Sequence, residues 1–160
     1  MSRKLIAYFS ASGVTADAAK KIAEAAGGEI YEIRPTVPYS TADLDWRDQN
    51  SRSSVEMKDK SSRPAIADKD AKVAESDVIF LGFPIWWYTA PTIINTFLES
   101  YDFSGKKILL FATSGSTDFG SALVDLSKSV CDTAVMTEGI VVHGRQDKKE
   151  WKNWVETLGL

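Results

Sequence analysis

Two nearly continuous apolar runs constrain the fold of this chain more than any other feature of its sequence. Apart from Asp77, Gly82 and Lys107, residues 77–83 and 107–112 carry hydrophobic side chains at successive positions, without the alternation expected of a half-exposed strand. Such runs are typical of strands buried on both faces, as in a parallel sheet covered by helices on each side. Because parallel strands need a long crossover, the helical pattern over residues 91–101 between the two runs predicts a β-α-β unit.

The same alternation of strand and helix patterns extends along most of the chain. The other predicted elements are, in order, a strand at 5–9, a helix at 16–26, a strand at 30–33, a helix at 121–130, a strand at 140–142 and a helix that contains Trp151, Trp154 and Leu158. Five strands joined by right-handed helical crossovers predict an α/β fold, with a parallel sheet between two layers of helices. A length of 160 residues fits a single domain.

The segment between the second and third predicted strands, residues 34–66, departs from this alternation of strands and helices. It is polar, contains three prolines and alternates charges, so it does not read as an ordinary crossover helix. A loop of such length is usually functional or mobile, and the four-residue spacing of Arg52 and Glu56 favours a short exposed helix around them. Two interpretations stay open: a solvated connection, or a segment in which Trp46 or Tyr39 covers part of a ligand.

Composition and charge argue against several classes of function. The net charge of −3 disfavours nucleic acid or an anionic membrane as the main partner. The apolar run after the basic N-terminus is too short for a signal or membrane-spanning segment. A single cysteine, Cys131, permits no internal disulfide, which favours a cytoplasmic location. With His143 as the one histidine, the chain has too few ligands for a His/Cys metal site, so we expect no metal.

Residues 10–15 lie where the first strand turns into the first helix, and their composition suits a phosphate group. Ser10, Ser12 and Thr15 can donate hydroxyl hydrogens, and Gly13 lets the backbone approach closely. The free N–H groups and the dipole of the first helical turn also favour an anion there. The loop contains no Lys or Arg, whereas a nucleoside-triphosphate loop needs a lysine that reaches the outer phosphates. We therefore predict a site of neutral donors for a terminal monophosphate.

Two further loops are expected at the same edge of the sheet, where the carboxyl ends of parallel strands meet. Residues 84–91 include three consecutive aromatic side chains, Trp86, Trp87 and Tyr88, which can stack against a flat ring, unless one or two pack beneath the loop. Residues 113–120 are rich in small residues whose backbone and hydroxyl donors can reach the polar edge of a ring. The three loops together fit a flat heteroaromatic compound with one phosphate, and flavin mononucleotide (FMN) has this shape.

These motifs resemble those of the flavodoxin family, and the similarity covers almost the whole chain. It rests on the Tyr-Phe-Ser-Ala-Ser-Gly sequence at 8–13 and the Gly-x-Pro-Ile-Trp-Trp loop at 82–87, with further matches at 43–46, 51–53, 63–64 and 113–116. The resemblance implies a flavodoxin-like three-layer α/β/α sandwich whose five-stranded parallel sheet has the order 2-1-3-4-5. It also implies one domain over residues 1–160, with residues 34–66 as a long polar insert between strands 2 and 3. Flavodoxins are a standard example of ligand binding at the carboxyl ends of strands.

The resemblance further implies FMN as the cofactor, bound by residues of the three loops. Its phosphate would be held by Ser10, Ser12, Gly13, Val14 and Thr15; its ring and ribityl chain would be bordered by Pro84, Ile85, Trp86, Trp87 and Tyr88; and the edge of the ring would be met by Thr113, Ser114, Gly115 and Ser116. The third loop departs from many flavodoxins because its first residues include no Tyr or Trp, so one flavin face is expected to be open. The flavin would carry the chemistry, and no residue is expected to act as a covalent catalyst.

Two functions remain open on this basis, and the sequence does not decide whether the protein is an enzyme. The first, which we favour, is an electron carrier that docks on redox partner proteins; the small size and the whole-chain resemblance support it. The second is an NAD(P)H-dependent FMN reductase of quinones or similar small acceptors, which the open flavin face supports. A phosphorelay receiver of the same fold would need acids where Ser10 and Pro84 stand. A monomer and a homodimer are both compatible with the sequence.

Overall fold

A computed structural model describes residues 3–11, 13–114, 117–142 and 148–158, without the side chains of residues 148–150. Strands and helices alternate along this part of the chain: β1 (Lys4–Tyr8), α1 (Val14–Ala26), β2 (Glu29–Glu32), α2 (Arg52–Lys58), β3 (Val78–Pro84), α3 (Thr92–Glu99), β4 (Lys107–Thr113), α4 (Ala122–Ser127), β5 (Val135–Val142) and α5 (Lys148–Thr157). None of these helices is long and apolar enough to cross a membrane. The α/β fold predicted from the sequence is confirmed.

The five strands form one parallel sheet in the order β2-β1-β3-β4-β5, as the resemblance implied. At the carboxyl ends, Tyr8 of β1 pairs with Gly82 of β3, and Pro84 of β3 pairs with Thr113 of β4. The pairing continues past the end of β3, where the Ile85 N–H donates to the Thr113 carbonyl oxygen at 2.9 Å. The loops that follow β1, β3 and β4 therefore begin side by side.

Apolar side chains cover both faces of the sheet, because successive residues of a strand point to opposite sides. On one face, Ile79 and Leu81 of β3 belong to a cluster with Phe97 of α3; on the other, Phe80 belongs to a cluster with Trp151 of α5. All five side chains are almost fully buried. At roughly 1.5–3 kcal/mol for each large apolar side chain, this burial is the main force that holds the helices on the sheet.

β5 is longer than the sequence predicted, since it begins at Val135 rather than near residue 140. Its first five residues include Thr137, Glu138 and Gly139, so no apolar run marks them. As the last strand of the sheet β5 has one free edge, and most of its residues are exposed or half-buried. The burial on both faces that made β3 and β4 recognisable is missing here.

The insert at residues 34–66 is only partly the solvated connection that its polarity suggested. It contains α2, which follows the N-cap residue Ser51 and includes the predicted ion pair between Arg52 and Glu56, at 3.0 Å. Ser53 and Ser54 of α2 are buried although they are polar. The insert therefore has buried polar side chains of its own, which no apolar stripe in the sequence predicts.

Candidate functional site

The first loop is shaped by Gly13, the N-cap residue of α1, whose φ of +93° favours glycine. Its N–H donates to the Ser10 hydroxyl oxygen at 3.0 Å, and its carbonyl oxygen accepts the first helical hydrogen bond, from Asp17, at 3.1 Å. The N–H groups of the first turn, which begins at Val14, have no partner inside the helix. They and the helix dipole make the start of α1 a site for an anion.

A pair of threonine hydroxyls joins this loop to the end of β4. The Oγ1 atoms of Thr15 and Thr113 lie 2.8 Å apart, and both side chains are buried. The sequence predicted each threonine as a separate contact to the cofactor, whereas the structure shows that they also bond to each other. Two hydroxyls carry two hydrogens and their mutual bond uses one, so one O–H remains available to a ligand.

The loop after β3 forms a tight turn over residues 86–89, which we call the aromatic turn. Trp86 and Thr89 exchange backbone hydrogen bonds of 2.9 and 3.1 Å, and between them Trp87 and Tyr88 have φ angles of +49° and +64°. Such angles at both central residues define a type I′ turn, which Gly and Asn usually occupy. Two aromatic residues in left-handed geometry cost roughly 1–2 kcal/mol each. The surrounding structure must therefore hold the turn in place.

The three aromatic side chains of this loop have different surroundings. Trp86 packs edge-on against Phe9 and Tyr39, with ring centroids 5.7 and 5.6 Å away. By contrast, 45% of Trp87 and 68% of Tyr88 is exposed. Trp86 thus anchors the loop on the core, while the next two side chains are accessible to a ligand.

Of the two insert residues that could cover a ligand in the second interpretation of this segment, Tyr39 reaches the aromatic turn. Its ring contacts Trp86, its hydroxyl donates to Glu56, and the Arg52 guanidinium carbon lies 3.8 Å from its ring centroid. Trp46 is 72% exposed. The insert therefore supports the turn from behind through Tyr39.

Asp125 of α4, which the sequence analysis did not identify, links the aromatic turn to α4 and to the insert. Its Oδ2 accepts hydrogen bonds from the hydroxyls of Thr89 (2.6 Å) and Ser121 (2.9 Å), and its Oδ1 lies 3.4 Å from Lys60 Nζ. Burial alone would raise the pKa of Asp125, but the two hydroxyls and the lysine together lower it below its ordinary value. The Ser121 N–H also donates to the carbonyl oxygen of Tyr88 at 2.9 Å. No local motif marks such an aspartate, because two of its partners, Thr89 and Lys60, come from distant segments of the chain.

We expect Asp125→Asn to destabilise the protein by about 2 kcal/mol at about pH 6, the typical loss when hydrogen bonds to a charged group are removed. A lowered pKa in the folded state means that this contribution is complete above the ordinary aspartate pKa and is lost as pH falls through the folded value. The difference in free energy of unfolding, measured with urea, should therefore shrink at about pH 3. Asp132→Asn, at an exposed aspartate, is the control and should change little. A pH-independent loss would contradict this role.

The described part of the third loop offers hydroxyl groups rather than an aromatic ring. The Ser114 and Thr117 hydroxyl oxygens lie 2.7 Å apart, and the Thr117 N–H donates to Ser114 Oγ at 3.0 Å. Phe119, the aromatic residue of this loop, is buried in the core. Phe119 therefore does not provide a second ring against which a flat ligand could stack, opposite the aromatic turn.

The structure brings the described site residues to one edge of the sheet, beside the ends of β1, β3 and β4; these are Ser10, Gly13, Val14, Thr15, Pro84, Ile85, Trp86, Trp87, Tyr88, Thr113 and Ser114. Ser12, Gly115, Ser116 and His143 lie outside the described residues. Within the described part of the chain, no cluster of His, Cys, Asp or Glu side chains could hold a metal ion.

Comparisons with known proteins agree with this geometry. The flavodoxin family model matches residues 3–158. The chain belongs to the flavodoxin family. Among solved structures, this flavodoxin-family protein is similar to two candidate flavoproteins, from Bacteroides eggerthii (44% identity, 100% of this chain and 99% of that one, TM-score 0.91) and Bacteroides uniformis (48%, 97% and 98%, 0.90).

A more distant structure has the same fold. It is a flavoprotein from Lactobacillus acidophilus, solved in complex with FMN, with 23% identity over 96% of this chain and 99% of that one and a TM-score of 0.68. No curated protein matches the chain. The family and the sheet order that the sequence predicted are thus confirmed.

Proposed function

We propose that this flavodoxin-family protein binds FMN and transfers electrons between partner proteins. The observation that carries the proposal is the placement of two features at one edge of the sheet: a helix start that suits a phosphate, and an exposed aromatic turn. Trp87 and Tyr88 present flat surfaces close to the protein exterior, where an electron can pass to a docked partner. The distant L. acidophilus flavoprotein, which shares the fold, was solved with FMN.

The residues of the first loop fit the phosphate of FMN. Apart from the two neighbouring residues, no atom of the described chain lies within 4 Å of the position that a Cβ atom of Gly13 would occupy, which leaves space at the helix start. The donors around that space are neutral: first-turn N–H groups and the Ser10 hydroxyl, which accepts from Gly13 and keeps its own hydrogen to donate. This set matches a terminal monophosphate.

Each loop has a separate task in this proposal. Bound FMN would supply reversible one- and two-electron transfer. The start of α1 would hold the phosphate, Trp87 and Tyr88 would cover the ring, and the hydroxyl of Ser114 would meet its edge. The hydrogen bonds of Asp125 keep the aromatic turn in the geometry that this requires.

A second candidate function is an NAD(P)H-dependent FMN reductase of quinones or similar small acceptors. The burial of Phe119 favours it, because no aromatic ring from the described residues of the third loop would then cover the second face of the flavin. A nicotinamide, and afterwards a flat acceptor, could stack on that face.

Purified protein incubated with FMN and then desalted should keep flavin absorption bands, with one FMN per chain. Protein that stays colourless after this treatment would refute FMN binding. The loaded protein is then mixed with NADH or NADPH and a quinone, without any partner protein. A carrier should consume neither nicotinamide rapidly; rapid consumption would instead establish the reductase.

A further inference from the structure

A cavity of about 180 Å³ lies behind the aromatic turn, between the end of the insert, the start of α3 and one side of α4. Among the described cofactor residues only Trp87 lines it, and none of the described residues of the phosphate loop does. Met57 and Ala90 add apolar surface to its wall. An apolar cavity of about 150 Å³ is known to accommodate benzene, so this space can hold one six-membered ring.

The wall of this cavity carries more positive than negative charge. Lys60, Arg63 and Lys128 face a single carboxylate, that of Asp125. Arg63 is neutralised outside the cavity, because its Nε and Nη2 bond both oxygens of Glu99 at 3.0 and 3.1 Å. Lys128 has no ionic partner among the described residues.

The negative charge of the Asp125 carboxylate is already compensated, so it does not require a cationic ligand. It already accepts hydrogen bonds from Thr89 and Ser121 and pairs with Lys60 at 3.4 Å. The charge at this cavity without a counterpart among the described residues is therefore the ammonium group of Lys128. It shares the wall with the Lys60–Asp125 pair, in which Lys60 is exposed and Asp125 is largely buried. A cavity that combines the apolar surface of Trp87, Met57 and Ala90 with this cation suits a ligand that is flat at one end and anionic at the other.

We propose that this cavity, the Trp87 cavity, binds a small organic anion with a single flat ring. The ring lies against Trp87 and Met57, and the anionic group contacts Lys128 and Lys60. Because Trp87 also borders the proposed cofactor, such a ligand would sit next to the redox centre. The binding itself depends only on residues of this chain and does not require the cofactor.

Benzoate is the probe, and calorimetric titration of both the cofactor-free and the FMN-loaded protein is the measurement. We expect saturable binding of one benzoate per chain in both forms. Lys128→Met should weaken it at least fivefold, since an ion pair contributes about that much even in a high dielectric. Lys69→Met, at an exposed lysine outside the cavity, is the matched control and should leave the affinity unchanged.

Benzamide, which has the same shape without the charge, should bind at least fivefold more weakly than benzoate. Four results would overturn the proposal: no saturable benzoate binding, an affinity that Lys128→Met leaves intact, equal binding of benzamide, or benzoate binding that FMN abolishes, which would place the probe in the cofactor site. Lys128 lies on the surface at the end of α4, so its variant should unfold at the wild-type temperature. If the chain fails to bind FMN, the cofactor-free arm still decides the question.

Discussion

Val14→Glu should weaken FMN binding by about 100-fold while leaving the protein as stable as the wild type. Val14 is the first residue of α1 and 51% of it is exposed, so a longer polar side chain fits there without disturbing the core. A carboxylate in the first turn favours the helix by about 0.3–1 kcal/mol. It would repel the phosphate, however, because two charges about 5 Å apart interact by about 3 kcal/mol at an effective dielectric constant of about 20.

Val14→Gln separates this repulsion from steric effects, since it introduces the same side-chain length without the charge. The dissociation constant is measured by quenching of FMN fluorescence, and the free energy of unfolding by urea denaturation. Val14→Gln should bind FMN within a few fold of the wild type. Equal FMN affinities of the two variants would mean that the phosphate is not held at the start of α1.

The sequence predicted the parallel sheet and its helical layers because a strand buried on both faces is apolar at successive positions, whereas the order of the strands was implied by the resemblance to the flavodoxin family. β3 and β4 are apolar at almost every position, and the helix between them is amphipathic. β5 was largely missed, because an edge strand is free to be polar on its open side. The insert also buries small serines, which a search for apolar side chains passes over.

The location of the candidate site was predictable for a different reason: parallel strands bring their carboxyl ends together, and each loop there has an unusual composition. The sequences of the loops do not predict the hydrogen bonds and the ion pair that join them to one another and to the rest of the fold. The Thr15–Thr113 hydroxyl pair joins α1 to β4, and Asp125 joins α4 to the aromatic turn and the insert. Both contacts connect residues far apart in the chain, so neither has a local signature.

A further contact that holds the aromatic turn in place involves Gly120, which has a φ of +56° and lies directly under Tyr88. A Cβ atom added there would stand 1.9 Å from the Tyr88 carbonyl oxygen and 2.7 Å from its carbonyl carbon. These are backbone atoms, so they cannot rotate away as the end of a side chain could. Relieving the clash would move the turn and break the hydrogen bond from the Ser121 N–H to Tyr88.

Gly120→Ala is therefore expected to lower the free energy of unfolding by about 3 kcal/mol, the sum of left-handed strain and overpacking. Gly105→Ala is its matched control, because Gly105 also has a positive φ, of +72°, but its Cβ would meet no atom within 4 Å. The control should lose only about 1 kcal/mol, and any entropic gain from replacing glycine in the unfolded chain is common to both variants. Urea denaturation measures both losses, and FMN titration should show weaker binding for Gly120→Ala alone. Equal losses in the two variants would show that the approach of Gly120 to Tyr88 does not hold the aromatic turn.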